Sequence, residues 1–390
     1  MSINTLNYAQ KFTENLDKLF TQKSVTSFMA DKSLATKFVG AKTVLIPDME
    51  LSGLADYDRD AGFSRGAITI SDSVYTMQMD RGRSLQIDRE DMDEVGICNL
   101  AGNILGEFIR TKVVPECDAY VLSKLAGVAI NRGNLIEGDI EKPYEAMVSL
   151  IEQVREKVGF DEELVAFVST SVHSALKNSD ELSRSITVSQ FKSGDVNLNV
   201  ETIDGVPIIP VVTSRMKTGY SFTPTGGGFV PLSNARTTLI MVMPKRCAHL
   251  VQKTEKIRIF APEQNPDADA YKFDYRIYYD VFVKKSGLDA IWAWITPEIT
   301  ITAQPQDIEV EQGSITESLS VTAGSSADLT YQWYSCNVYG GDEIKIVGAT
   351  SNTYALPTTL TTGSYYYFCK ISAGKLASTK SDVAEVTVEA

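Results

Sequence analysis

The chain has 390 residues, 43% of them hydrophobic and 22% charged. Both values sit near the globular average, which excludes disorder and a fibrous repeat and leaves room for two or three domains. Thirty-seven Lys and Arg stand against 50 Asp and Glu, a net charge of −13 that opposes nonspecific attraction of the whole chain to nucleic acid or an anionic membrane.

Between residues 3 and 30, Leu6, Phe12, Leu16, Leu19 and Phe20 fall among Lys, Glu, Asp and Gln at the spacing of one or two short amphipathic helices. An arm of this kind needs a partner surface. From Thr43 to Ile87 the pattern changes to short alternating runs, Val44-Leu45-Ile46 and Ala67-Ile68-Thr69-Ile70, around the Gly- and Asp-rich stretch from Gly53 to Gly66; this predicts a long exposed β-hairpin. From about Asp91 to Leu125, Ile97, Ala101, Ile104 and Phe108 share one helical face. Pro115 lies inside that helix and is expected to bend or break it near Val114.

Pro143 opens the clearest helix, with Met147, Leu150, Ile151, Val154 and Val158 on one stripe and Gly159 as its stop. A strand from Leu164 to Ser169, a short helix from Val172 to Lys177, and strands Val196 to Val200 and Val206 to Val212 about an Asp204-Gly205 turn follow. Every odd position from Tyr271 to Val283 is apolar or aromatic, which predicts one unusually long, half-buried strand.

No catalytic constellation survives inspection. Gly62-Phe63-Ser64-Arg65-Gly66 has the GxSxG form of a nucleophile elbow but lacks the buried strand before it and the helix after it. Ser214 to Gly219 contains SxxK and KTG overlapping on Lys217, whereas that chemistry takes them from separate elements. Asp56, Asp58 and Asp60 begin like a calcium loop, but Gly62 falls one place late and Ala67 stands where the bidentate Glu belongs. Gly226-Gly227-Gly228 lacks the Lys-Ser/Thr of a phosphate loop. Cys98, Cys117 and Cys247 are too far apart for a CxxC site and are expected to be buried free thiols; His173 and His249 lack HExxH spacing. Neither a metal nor a cofactor is expected. Met1 to Gln10 has no apolar core of signal-peptide length, and no stretch reaches the roughly 18 apolar residues of a membrane span, so cytoplasmic folding without a membrane partner is expected.

After Trp294 to Pro297 the composition shifts: from Glu298 onward eleven Asp and Glu stand against four Lys, marking a separate acidic module. Seven short strands with regular turn signals, from Ile299 to Ala303 through Val383 to Val388, predict a β-sandwich. Tyr331-Gln332-Trp333-Tyr334 resembles the third strand of an immunoglobulin-like domain, and Gly363-Ser364-Tyr365-Tyr366-Tyr367-Phe368-Cys369 its sixth. The resemblance implies that Trp333 fills the core and that Tyr367 is the corner tyrosine. The second strand offers Leu319 and Val321 but no cysteine, so the usual inter-sheet disulfide is absent. Cys336 and Cys369 lie on strands that neighbour one another in this fold; whether they pair is left open.

The order of arm, hairpin, long helix, mixed α/β unit and closing long strand resembles the major capsid proteins of tailed bacteriophages. Ser84-Leu85-Gln86-Ile87-Asp88-Arg89-Glu90-Asp91-Met92-Asp93 looks like the family's passage from extended loop to spine helix, and Val113-Val114-Pro115-Glu116-Cys117-Asp118-Ala119-Tyr120 like its continuation. Ile203-Asp204-Gly205-Val206-Pro207-Ile208-Ile209 looks like the family's axial sheet-turn. The likeness spans about residues 1–297. It implies an α+β fold with an N-terminal arm at 1–40, the extended loop and start of the peripheral domain at 41–90, the spine helix at 91–139, an axial domain at 140–235, and peripheral closing strands at 236–297. The immunoglobulin-like sandwich would follow at 298–390.

By the same resemblance the chain is a structural protein and not an enzyme. Its copies would form hexamers and pentamers of an icosahedral shell in the virion, assembled in the bacterial cytoplasm around double-stranded DNA with a portal and scaffold or decoration proteins. Leu6, Phe12, Leu16, Phe20, Leu54, Phe63 and Ile68 are the candidate intersubunit contacts. The acidic module would project outward, away from DNA of like charge, where Tyr366 or Tyr339 could stack on a glycan or host surface. Two rivals share parts of this pattern: an encapsulin-like compartment shell, and a glycan-binding surface adhesin, which would need a secretion signal or wall anchor that the sequence does not show.

Overall fold

The computed structural model describes residues 24–30, 38–39, 42–57, 59, 63, 65–89, 104–178, 187–193, 196–222, 226–336, 341–375 and 377–390. The sequence expectations for Leu6, Phe12, Leu16, Phe20, Ile97, Cys98, Ala101 and Tyr339 lie outside these residues. The architecture is α+β, rich in strands, with one long helix.

That helix, α1, spans Val114–Arg132 and buries Val114, Cys117, Val121, Leu122, Leu125, Ala126 and Ala129. Pro115 does not break it. Residues 104–108 are already helical, and Ile109–Val113 form a π turn whose flanking residues Phe108 and Val114 keep helical dihedrals. Proline lacks a donor and crowds the preceding turn; the wider π geometry just before it accommodates both defects without a stop. The helix ends where Gly133, at φ 72°, takes the left-handed cap.

A seven-stranded sheet runs Leu135–Glu137, Trp292–Ile295, Thr238–Pro244, Leu164–Ser169, Val206–Val211, Val196–Ile203, Thr187–Ser193. Its central strands are buried on both faces, and alternate residues divide between two cores. Val165, Phe167, Met241 and Met243 face the core of α1. Leu164, Ala166, Val168, Ile240 and Val242 face α2, Pro143–Val158, and α3, Thr170–Lys177. Helix α2 has the predicted limits, with Pro143 in its first turn and Gly159 at φ 83° donating to the Arg155 carbonyl. Asp204 and Gly205, at φ 51° and 76°, make the tight turn expected of them. The division expected at residues 235 and 236 runs through this sheet, because Thr238–Pro244 lies between Trp292–Ile295 and Leu164–Ser169. One continuous ladder cannot be cut there.

The long strand is real: Ala270–Val283 pairs with Ala248–Phe260 on one side and Met79–Asp88 on the other. Its odd positions Phe273, Tyr275, Ile277, Tyr279 and Val281 enter the core of α1. Tyr278, Asp280 and Phe282 are buried as well, because Val44, Ile46 and Met77 at the base of the hairpin cover the opposite face.

Beyond residue 298 the chain forms a two-layer sandwich. One sheet orders Ile308–Glu311, Ala384–Glu389, Gly363–Ala373, Leu329–Cys336 and Glu343–Lys345, with Ala377–Lys380 also on Gly363–Ala373. The other layer pairs Ile299–Ala303 with Thr322–Ser325 and Ser318–Ser320 with Thr353–Ala355. Trp333 is fully buried among Leu319, Val321, Tyr367, Cys369, Ile371 and Val386, and its indole N–H donates to the Ser351 carbonyl at 2.9 Å. Tyr367 is a core residue, but the hydroxyl that returns to the backbone belongs to Tyr365, which donates to the Thr361 carbonyl at 3.0 Å. Cys336 and Cys369 are both free thiols. Cys369 stands opposite Trp333 and Cys336 opposite Tyr366, three residues apart along the ladder, so the two thiols point to opposite faces of the sheet.

Replacing Trp333 with Ala should cost the sandwich about 3–5 kcal/mol. Calorimetry should show its transition falling while the transition of the α/β body stays in place.

Candidate intersubunit surface

Strands Thr43–Leu51 and Ile68–Thr76 pair in register from Thr43 opposite Thr76 to Leu51 opposite Ile68. Cross-strand partners share a face, so the hairpin has two distinct sides. Near its base Val44 and Ile46 are buried against Val251, Tyr278 and Phe282, with the Tyr75 ring tilted against that of Phe282 at 5.1 Å. On the opposite side Leu51, Ile68, Ile70 and Val74 are each 66–68% exposed. At the tip Leu54 and Phe63 are fully or almost fully exposed, and the Phe63 ring meets that of Tyr57 edge-on at 4.9 Å. The expected contacts Leu54, Phe63 and Ile68 thus stand in solvent. Leu51, Tyr57, Ile70 and Val74 join them; the alternating run Ala67-Ile68-Thr69-Ile70 carried the signal for Ile70.

The hairpin leaves the body at a buried charge. Asp280 is fully buried; its Oδ1 accepts from the Tyr120 hydroxyl at 2.9 Å and from Lys124 Nζ at 2.5 Å, and its Oδ2 accepts from the Gln78 backbone N–H at 2.9 Å. Gln78 is the turn between the hairpin and strand Met79–Asp88.

A second buried carboxylate, Asp118 on α1, holds the incoming arm. It accepts from Ser24 Oγ at 2.7 Å, from Thr26 Oγ1 at 2.8 Å and from the backbone N–H of Val25 and Thr26, and Arg215 lies 3.5 Å away. Met29 joins the α1 core and Phe28 stacks on Phe167. Within the arm expected at 1–40, residues 24–30 pack on their own body, with a short 3-10 turn at Ser27–Met29.

Between strand Met79–Asp88, the start of α1 and the Gly226-Gly227-Gly228 loop lies a cleft of about 560 Å³ with aromatic walls and Arg81, Arg83 and Lys112 around it. Arg81 is committed to Glu116 at 2.6 Å and to the Gly228 carbonyl at 3.1 Å. The three glycines have φ of 94°, 86° and 87°, values that side-chain-bearing residues rarely adopt. Lys217 of the SxxK-like run donates to Thr237 Oγ1 at 2.6 Å, and the Tyr220 hydroxyl ties off the preceding turn at the Ser214 carbonyl. That motif is part of the scaffold. Burial pushes the thiol of Cys247 up to about 12 and that of Cys117 well above its ordinary value, so neither is a thiolate at neutral pH. Among the described residues no group of three or more His, Cys, Asp or Glu is placed to hold a metal ion.

No protein-family model matches the chain, and no curated protein does. Solved structures do. The chain is similar to a structure from Mycobacterium phage Che8 at 11% identity and a TM-score of 0.47, covering 70% of this chain and 90% of that one. It is similar to the capsid of cyanophage P-SCSP1u at 11% and 0.47, covering 67% and 85%. It is also similar to the mature capsid of bacteriophage PhiM1 at 14% and 0.44, covering 66% and 82%. At these identities and with TM-scores below 0.5 the likenesses carry no argument about function, which has to be read from the surface.

Asp118→Ala would leave the Ser24 and Thr26 donors without their acceptor and should cost about 1–3 kcal/mol. Burial, outweighing the Ser24, Thr26 and Val25 bonds and Arg215, raises the Asp118 carboxyl above its ordinary 3.8. An acid with a raised folded value loses its contribution as pH climbs from 3.8 toward that value. Denaturation of the native chain and Asp118→Asn at stepped pH should therefore show the native chain falling relative to the variant over that interval.

Proposed function

We propose that this chain is the major capsid protein of a tailed phage, a structural protein whose copies close an icosahedral shell of hexamers and pentamers around double-stranded DNA. One observation carries the reading: a nine-residue-per-strand hairpin is fixed at its base by a buried charge, yet carries seven large apolar residues in solvent. A two-stranded ribbon is marginal by itself in water, and contiguous apolar surface of this kind marks an association site. A second copy of the chain is the natural cover, since a symmetric lattice gives every hairpin the same receiving surface.

Two supporting features concern the rest of the molecule. A sheet buried on both faces and braced by α1 gives a stiff plate suited to tiling. The acidic sandwich sits beyond that plate as an outward decoration; Tyr366, whose hydroxyl donates to Glu385 at 3.3 Å, belongs to its outer sheet face, where a host or glycan surface would be met. Assembly in the host cytoplasm, a portal, and scaffold or decoration proteins complete the proposal.

Changing Ile70 and Val74 together to Asp should abolish particles in electron micrographs while circular dichroism of the dispersed subunit stays native. Regular shells from that variant would overturn the proposal. Deleting residues 1–23 should have the same effect, with the cut kept short of Ser24 so that the Asp118 cluster survives. Deleting 298–390 should leave shells intact, and shells that never contain DNA would favour the compartment rival.

A further inference from the structure

The connection between body and sandwich is three residues, Thr296 to Glu298, between strands Trp292–Ile295 and Ile299–Ala303. It is not a free tether. Thr296 is 2% exposed, its N–H donates to the Thr237 carbonyl at 2.9 Å, and its hydroxyl accepts from the Thr237 N–H at 3.0 Å. Its carbonyl accepts from Arg236 Nε at 2.8 Å, and Glu298 lies 3.8 Å from the same guanidinium.

Two further loops of the sandwich meet the body. Ser326, in the turn before strand Leu329–Cys336, donates to Glu137 Oε2 at 2.5 Å, and the other oxygen of Glu137 pairs with Arg236. At the turn after strand Gly363–Ala373, the Lys375 backbone N–H donates to Asp139 Oδ2 at 2.7 Å. Gly374 there has φ 68°, and a Cβ on it would sit 2.6 Å from the same oxygen. No side chain fits between that turn and Asp139. The second oxygen, Asp139 Oδ1, is buried without a hydrogen-bond partner among the described residues, which is tolerable only while the seam holds the carboxylate in place.

We infer that Glu137 and Asp139 form a two-carboxylate clasp that locks the C-terminal sandwich to the α/β body in a single orientation. Thr296, Ser326 and Lys375 come from three separate segments at one end of the sandwich, and three anchors restrain rotations that one flexible linker would leave free. Glu137 ends Leu135–Glu137, an edge strand of the seven-stranded sheet, and Asp139 lies two residues on, so the clasp is mounted on that sheet. The inference stands on these contacts; only its consequence, a fixed presentation on every copy of a shell, rests on the proposed function.

Hydrogen exchange read by mass spectrometry tests it, in dispersed subunits or in particles alike. In the native chain the peptides covering 296–298, 325–328 and 373–375 should be protected. In Glu137→Ala with Asp139→Ala, and separately in Gly374→Val, exchange at 325–328 and 373–375 should rise about tenfold or more, while strand Leu329–Cys336 keeps its native protection and so reports an intact sandwich. The milder pair Glu137→Gln with Asp139→Asn should give an intermediate rise. Native peptides at 325–328 and 373–375 that exchange as fast as free loops, or variants indistinguishable from the native chain, would overturn the clasp. Failure of particle formation would bear on the capsid reading and leave this measurement unaffected.

Discussion

A carboxylate taken out of water costs several kcal/mol unless charge and hydrogen bonds compensate it, and this molecule places two such groups where its extensions meet the body. Asp280, between Lys124, Tyr120 and the Gln78 amide, fixes the point and direction from which the hairpin departs. Asp118, on the same helix that supplies Tyr120 and Lys124, fixes Ser24 to Thr26 of the arm. A hairpin with an apolar face can serve as a connector only if its root is rigid. The satisfied buried charges make each root a defined position, because any shift leaves a charge unpaired.

The body behind those roots is layered so that strain has few outlets. Strands Leu164–Ser169 and Thr238–Pro244 send alternate residues into two different cores, and a register slip by one residue would exchange the faces of the whole strand. Helix α1 crosses one face of this sheet and continues through Pro115 by way of the π turn. The proline therefore marks a change in helical pitch in the middle of a continuous rod.

Much of this was legible because local chemistry and tertiary environment agree. Helix α2 was readable at both ends, since Pro143 and Gly159 are boundary residues by their own backbone preferences. The alternation of Ala270–Val283 gave the strand, but not the burial of Tyr278 and Phe282, because the covering residues Val44 and Ile46 lie more than two hundred positions earlier in the sequence. Strands Ile308–Glu311 and Ala377–Lys380 escaped notice: four residues each, they form through partners and not through propensity. Of the candidate contacts, exposure was predictable where a hairpin carried more apolar residues than one face can bury. The clasp was illegible, since nothing about Glu137, Asp139, Ser326 or Gly374 in isolation distinguishes them from ordinary loop residues.

Strand Ile68–Thr76 is the outer strand of its small sheet, and among the described residues no strand pairs with its far side. It is nine residues long, β-branched at five of them, and Asp72 is its only charge. An open edge of that kind is a template for uncontrolled strand addition between chains. In the proposed shell, contacts between copies over this hairpin would compete with such strand addition, and Asp72 is the one charge on the strand that opposes it.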